Sequence, residues 1–181
     1  INELYKINNV SLEVKLINNN AKKFVSPLVM LHEGLGSVAL WKDFPEKLAN
    51  KLNRKIIVYS RKGMGKSSAI NEPRSVKFMH VEAKHYLKYI IENYCEQEPI
   101  LFGHSDGASI ALIYAGLNRP IHSIIVEAPH LMVEEVTIKE ISKIKLQWKT
   151  SNLREKLAKY HDDVDGAFNG WCNIWLNEEF K

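Results

Sequence analysis

The chain has 181 residues and is 45% apolar and 25% charged, which is enough apolar material for a buried core and argues against disorder. Its formal net charge of +4 comes from lysines scattered among acidic residues, so no nucleic-acid surface is expected. Cys95 and Cys172 match no CxxC or metal-ligand spacing and are expected to be free thiols. Because the sequence has no signal-peptide pattern and no apolar run long enough for a membrane span, we expect a cytoplasmic protein that does not bind a membrane.

Strands and helices are predicted to alternate along the first 130 residues. The strands are short apolar runs or alternate apolar and polar residues, and the helices repeat apolar residues every three to four positions. In chain order the predictions are strands at 4–10, 12–17 and 28–31, a helix at 41–52, a strand at 56–59, a helix at 76–95, a strand at 99–102, a helix at 106–118 and a strand at 123–126. Because apolar strands that alternate with helices are typical of parallel sheets, the predicted fold class is α/β, a mostly parallel twisted sheet flanked by helices.

The pattern changes after Pro129. Residues 134–181 contain no convincing strand and predict about three helices, rich in lysine, glutamate and tryptophan. We therefore expect two parts, with residues 1–130 forming the sheet and residues 131–181 forming a helical segment beside it. The tryptophans of this segment are expected to pack within the helices and against the sheet.

The strongest chemical signal is the pentapeptide Gly103-His104-Ser105-Asp106-Gly107. It lies between a predicted strand and a predicted buried helix, where glycines on both sides of the serine let the two backbones approach closely. Such a turn raises the Ser105 hydroxyl above the carboxyl edge of the sheet. The Asp106 N–H at the helix start has no partner within the helix, so it is free to stabilise an oxyanion. The pattern predicts that Ser105 is a nucleophile.

A second turn, His32-Glu33-Gly34-Leu35-Gly36-Ser37, also follows a buried strand. Together the two turns resemble those of the α/β-hydrolase superfamily, and the resemblance covers nearly the whole chain. It is greatest to single-domain esterase-like members whose nucleophile turn reads Gly-His-Ser-Asp-Gly. The second turn resembles the family's His-Gly oxyanion loop, with Glu33 where glycine is usual. Residues 60–67 resemble the family's Asp-x-x-Gly-x-Gly-x-Ser loop, with Ser60 in place of the aspartate.

The resemblance implies roles for several residues. Gly34 and Asp106 would supply the two N–H groups of an oxyanion hole, and residues 131–181 would form an incomplete cap over the active site. Part of the cap would line an apolar substrate pocket. The candidates for lining it are Leu35, His130 and Trp171. The resemblance implies no metal and no organic cofactor.

A serine nucleophile also needs a base, and a carboxylate that orients the base. In this family the chain order is serine, acid, histidine, with the last two on strands beyond the cap. The chain is therefore expected to be an N-terminal fragment or truncated product that lacks a complete triad. Of its seven histidines, His130 at a strand end and His161 in the cap remain open as catalytic alternatives.

The sequence thus predicts a serine hydrolase that acts on a small-molecule carboxylic ester or related acyl bond, and that is weak or inactive in this form. The alternative is a non-catalytic member of the same fold that serves as a binding or interaction module. An exposed sheet edge would also allow self-association, or a second chain that completes the sheet and supplies the histidine. A reactive Ser105 distinguishes the enzyme from the binding module.

Overall fold

A computed structural model describes residues 1–20 and 24–180. The strands are β1 (Asn2–Ile7), β2 (Val10–Ile17), β3 (Leu28–Leu31), β4 (Ile56–Tyr59), β5 (Ile100–His104) and β6 (Ser123–Glu127). The helices are α1 (Phe44–Leu52), α2 (Phe78–Val81), α3 (Leu87–Tyr94), α4 (Asp106–Gly116), α5 (Glu135–Thr150), α6 (Leu153–Leu157) and α7 (Val164–Trp175). Within the described residues, none of these helices combines the length and apolar character that a membrane span requires.

The six strands form one sheet in the order β1-β2-β4-β3-β5-β6. β1 and β2 are antiparallel, β2 is antiparallel to β4, and β4, β3, β5 and β6 run parallel to one another. Every residue of β3 and β4 is buried, as is usual where helices cover both faces of a parallel sheet. The predicted fold class is confirmed. Because the strands are parallel, the loops that follow β3, β4 and β5 meet at one edge of the sheet.

The two faces of the sheet carry separate apolar clusters. Successive strand residues point to opposite faces, so Val29 and Ile57 join the larger cluster whereas Met30 and Val58 join the smaller one. The larger cluster also contains residues of α3, α4 and α7, while the smaller one is covered by α1 and the turn before it. The α7 helix therefore shares a core with the sheet.

Two predicted helices differ in detail from those observed. The helix predicted at 41–52 begins as a 3₁₀ turn at Ala39–Trp41, and α1 begins only at Phe44, with Pro45 in its first turn. Proline is tolerated there because the first N–H groups of a helix have no partner within the helix. The helix predicted at 76–95 forms as α2 and α3, joined by a π-helical turn at Glu82–Tyr86.

Candidate active site

Ser105 lies in the tight turn between β5 and α4, with φ 53° and ψ −118°. Residues other than glycine rarely adopt a positive φ. A Cβ on Gly103 would collide with the start of α4, and a Cβ on Gly107 would collide with the carbonyl of Leu31. The Ser105 N–H donates to the carbonyl of Glu127 at 2.9 Å, which ties the turn to the end of β6. Both glycines are therefore required by the close approach of the backbones around the serine.

His130 lies beside the serine, with its Nε2 3.0 Å from the Ser105 Oγ. The chain turns towards the serine after β6 at Ala128, which has φ 48°. The Ser109 hydroxyl on α4 accepts from the His130 N–H and donates to the His130 carbonyl, both at 2.9 Å. The imidazole also packs edge-on against Trp175, with ring centroids 4.8 Å apart. Within residues 1–20 and 24–180, no carboxylate makes a hydrogen bond to this imidazole.

A cleft of about 270 Å³ opens at the serine, between the sheet edge and the helical segment. Its walls come from the Ser105 turn, from His130 and from one face each of α5 and α7. The lining residues are Ser105, Asp106, His130, Val136, Thr137, Glu140, Ile141, Trp171 and Trp175. Two of the three predicted lining residues, His130 and Trp171, lie in this cleft. Leu35 does not line it, because its side chain packs against the larger apolar cluster.

The loop that follows β3, residues 32–37, is called the β3 loop below. It lies next to the start of α4, since a Cβ on its Gly34 would lie 3.3 Å from Oδ2 of Asp106. The same Cβ would overlap the indole of Trp171, so this ring packs directly on the glycine. The N–H groups of Gly34 and Asp106 have no backbone acceptor among the described residues. Two free N–H groups on adjacent turns are what an oxyanion hole requires.

Several charged side chains are buried beneath these two turns. Burial raises the pKa of Glu33, Glu82 and Asp106, and the nearby Arg61 guanidinium opposes the rise at each of them. Arg61 itself is only 2% exposed. Burial and the charge of Arg61 lower the pKa of Arg74 to about 10. These buried charges of both signs partly compensate one another.

His161, between α6 and α7, connects the helical segment to the sheet edge. Its Nδ1 accepts from the Gly65 N–H, and its Nε2 donates to the carbonyl of Leu35, both at 2.9 Å. An N–H faces one ring nitrogen and a carbonyl faces the other, so both bonds form only when the ring is neutral and carries its proton on Nε2. Burial lowers the pKa of His161, which favours this neutral form. The structure thus places His161 away from Ser105, and His130 against it.

The two cysteines are free thiols, with Cys172 buried and Cys95 partly buried. Among the described residues, no group of three histidine, cysteine or acidic side chains is arranged to hold a metal ion.

The sequence matches the alpha/beta hydrolase fold family over residues 26–177. The chain belongs to that family. This α/β-hydrolase is 29% identical over 168 residues to a proline iminopeptidase of Lactobacillus crispatus (strain ST1), an alignment that covers 92% of this chain and 55% of the relative. The chain thus spans little more than half the length of that relative.

Solved structures of the same fold include one from a study of carboxylesterases of Nitrososphaera gargenis. It has a TM-score of 0.74 and 16% identity, and the match covers 97% of this chain and 72% of that one. A proline iminopeptidase of Mycobacterium smegmatis has a TM-score of 0.64 and 16% identity, over 81% of this chain and 50% of its own. These likenesses show that the α/β-hydrolase fold is shared.

Proposed function

We propose that this chain carries the nucleophile and the base of a serine hydrolase, which acts on a small-molecule carboxylic ester or related acyl bond. The observation that supports the proposal is the 3.0 Å distance between the Ser105 Oγ and the His130 Nε2, at a turn with positive φ. A serine hydroxyl is a weak nucleophile unless an adjacent base accepts its proton. Among the described residues, His130 is the side-chain base within hydrogen-bond reach of the Ser105 Oγ.

The proposed reaction uses only groups of this chain and water. The Ser105 Oγ attacks the acyl carbon as its proton moves to the His130 Nε2, and the carbonyl oxygen becomes an oxyanion that accepts from the N–H groups of Gly34 and Asp106. The oxyanion reforms the carbonyl as the bond to the leaving group breaks, and the His130 Nε2 gives its proton to that group. Water then attacks the acyl-serine with His130 again as base, which releases the acid and restores the serine.

The orientation of His130 in this mechanism comes from packing and from the backbone. In a full triad, a carboxylate holds the base in one tautomer and stabilises the imidazolium. Here the Ser109 hydroxyl fixes the backbone on both sides of His130, and Trp175 restricts the ring. We therefore expect a reactive serine but slower turnover than a complete triad supports.

A second candidate reaction comes from the curated relatives, which are named proline iminopeptidase. In that case the acyl bond is an amide, and the leaving group is an amine that must be protonated as it departs. The same serine, base and N–H groups serve this reaction. Hydrolysis of proline 4-nitroanilide in preference to 4-nitrophenyl acetate would favour this candidate over an esterase.

The proposal is tested by treating the purified chain with a fluorophosphonate probe and locating the adduct by mass spectrometry. We expect a single adduct on Ser105, none in Ser105→Ala, and normal labelling of Ser142→Ala, which alters an exposed serine of α5. Absence of any adduct on the folded wild-type chain would refute the proposed base and favour a non-catalytic binding module.

A further inference from the structure

One carbonyl of the β3 loop is held by three donors. Arg61 reaches the loop from beneath: its Nη2 donates to the carbonyl of Glu33 at 2.8 Å, and its Nη1 donates to that of His32 at 2.5 Å. The backbone N–H of Arg61 donates to the His32 Nε2 at 3.0 Å, so the ring proton lies on Nδ1, which donates to the Glu33 carbonyl at 2.6 Å. The Gly36 N–H is the third donor to that carbonyl, at 3.0 Å.

The Glu33 carbonyl and the Gly34 N–H belong to the same peptide unit. Because a peptide unit is planar and trans, its C=O and its N–H point in opposite directions. The three donors keep the Glu33 oxygen on the side of Arg61, so the Gly34 N–H is directed away from the buried guanidinium. This N–H has no backbone acceptor among the described residues. Its direction is therefore set by the bonds to the Glu33 oxygen.

We infer that Arg61 is a positioning residue of the oxyanion hole, which fixes the direction of the Gly34 N–H through the Glu33 carbonyl. The inference rests on the proposed function, because it assigns a role in that same site. Arg61 does not touch the reacting atoms and is not a catalytic residue. It acts as a rigid two-pronged donor to two successive carbonyls, which a single ammonium group cannot reproduce.

The burial of Arg61 carries an energetic cost. The side chain is 2% exposed, and its Nε is buried with no partner among the described residues. A buried charge with an unpaired N–H destabilises the folded state. The guanidinium of Arg74 is also close, since the charge of Arg61 helps to lower the pKa of Arg74. An apolar side chain would avoid these two costs, but it would leave Glu33, Glu82 and Asp106 without their nearby guanidinium and could not hold the two carbonyls.

The test compares Arg61→Lys with Arg74→Lys in this chain. Both substitutions keep the positive charge, but Arg74 donates to the carbonyl of Lys62 and not to the β3 loop, so Arg74→Lys is the matched control. Three quantities are measured: kcat and KM for 4-nitrophenyl acetate, the rate ratio between an ester and its thionoester, and hydrogen exchange of the peptide spanning 31–38. The thionoester places sulfur where the oxyanion forms, so the ratio reports on the oxyanion hole.

Removing one oxyanion-hole donor typically lowers kcat by about 10²–10³-fold, and a misdirected donor loses part of that. For Arg61→Lys we expect kcat to fall about 10- to 100-fold with little change in KM, a smaller ester-to-thionoester ratio, and faster exchange in 31–38. Arg74→Lys should change none of these. Should Arg61→Lys fail to fold, His32→Phe, which removes another donor to the same carbonyl, is expected to change the ratio and the exchange in the same directions.

The inference is overturned if Arg61→Lys matches Arg74→Lys in both the ratio and the exchange of 31–38. A wild-type chain that shows neither turnover nor fluorophosphonate labelling would instead refute the proposed function. In that case hydrogen exchange alone decides whether Arg61 holds the loop: faster exchange in Arg61→Lys supports it, and equal exchange refutes it.

Discussion

Replacing His130 by phenylalanine isolates its role as a base. The ring that packs against Trp175 is kept, and the two Ser109 bonds engage the backbone of residue 130, so the fold around it should persist. What is lost is the Nε2 that lies 3.0 Å from the Ser105 Oγ. A positioned general base contributes about 10²–10⁴-fold to rate, and because no carboxylate of the described chain orients this imidazole, we expect a loss near the lower end, about 10²-fold.

The assay is the second-order rate constant for fluorophosphonate labelling of Ser105, followed by intact mass. His122→Phe is the matched control, because His122 is exposed and, among the described residues, its side chain bonds only the adjacent Ser123 hydroxyl. Circular dichroism of both variants checks that they are folded. Labelling of His130→Phe at the wild-type rate would show that His130 is not the base.

Three further predictions concern stability, measured by urea denaturation. Gly34→Ala should lower the free energy of unfolding by about 1–3 kcal/mol, because the added methyl group overlaps the indole of Trp171. Ser109→Ala should cost about 1–3 kcal/mol, because it leaves the N–H and the carbonyl of His130 without their partner. Burial lowers the pKa of His161 below its unfolded value, so the stability this residue contributes is present above about pH 6.5 and is lost as pH falls through the folded pKa. His161→Phe should therefore cost less at about pH 5.5 than at about pH 7.5.

Each of these has a contrary outcome. A Gly34→Ala chain as stable as wild type would mean that Trp171 does not lie on the glycine as described. Equal stability of Ser109→Ala and wild type would show that water replaces the hydroxyl at no cost. If the cost of His161→Phe does not vary with pH, the pKa of His161 is not lowered in the folded state.

The layout of the sheet followed from the sequence because its strands carry strong local signals. Continuous apolar runs, each followed by a glycine-bearing turn or a helix, predicted β3 and β4 with the observed bounds. Other bounds depend on tertiary contacts that have no local signal. The π-helical turn at Glu82–Tyr86 is one example, since Glu82 is buried there and accepts from the Tyr59 hydroxyl at 2.7 Å. Nothing in the periodicity of residues 76–95 predicts that partner.

The turn around Ser105 was the most predictable part of the candidate site, because its signal lies in one stretch of the sequence. The strand, turn and helix around Ser105 are contiguous in the sequence, so the glycine spacing was sufficient to predict the turn. The contact with His130 spans 25 residues and depends on the positive φ of Ala128, which no turn-forming residue type indicates. His130 was therefore left as one of two catalytic alternatives, and Arg61 was not predicted at all, although it lies in a loop that the resemblance singled out. A buried arginine is not distinguishable from an exposed one by sequence pattern alone.

The helical segment contacts the candidate site at several points, although the composition changes between the segment and the sheet. An indole of α7 covers Gly34, the residue proposed to donate to the oxyanion. Trp175, from the same helix, packs against His130, the proposed base. His161 donates to the carbonyl of Leu35 in the loop that holds Gly34. Since the proposed base and one proposed oxyanion donor are both contacted from α7, a loss of order in this helix would release the two together. Under the proposed function, the helices would therefore position active-site groups as well as cover them.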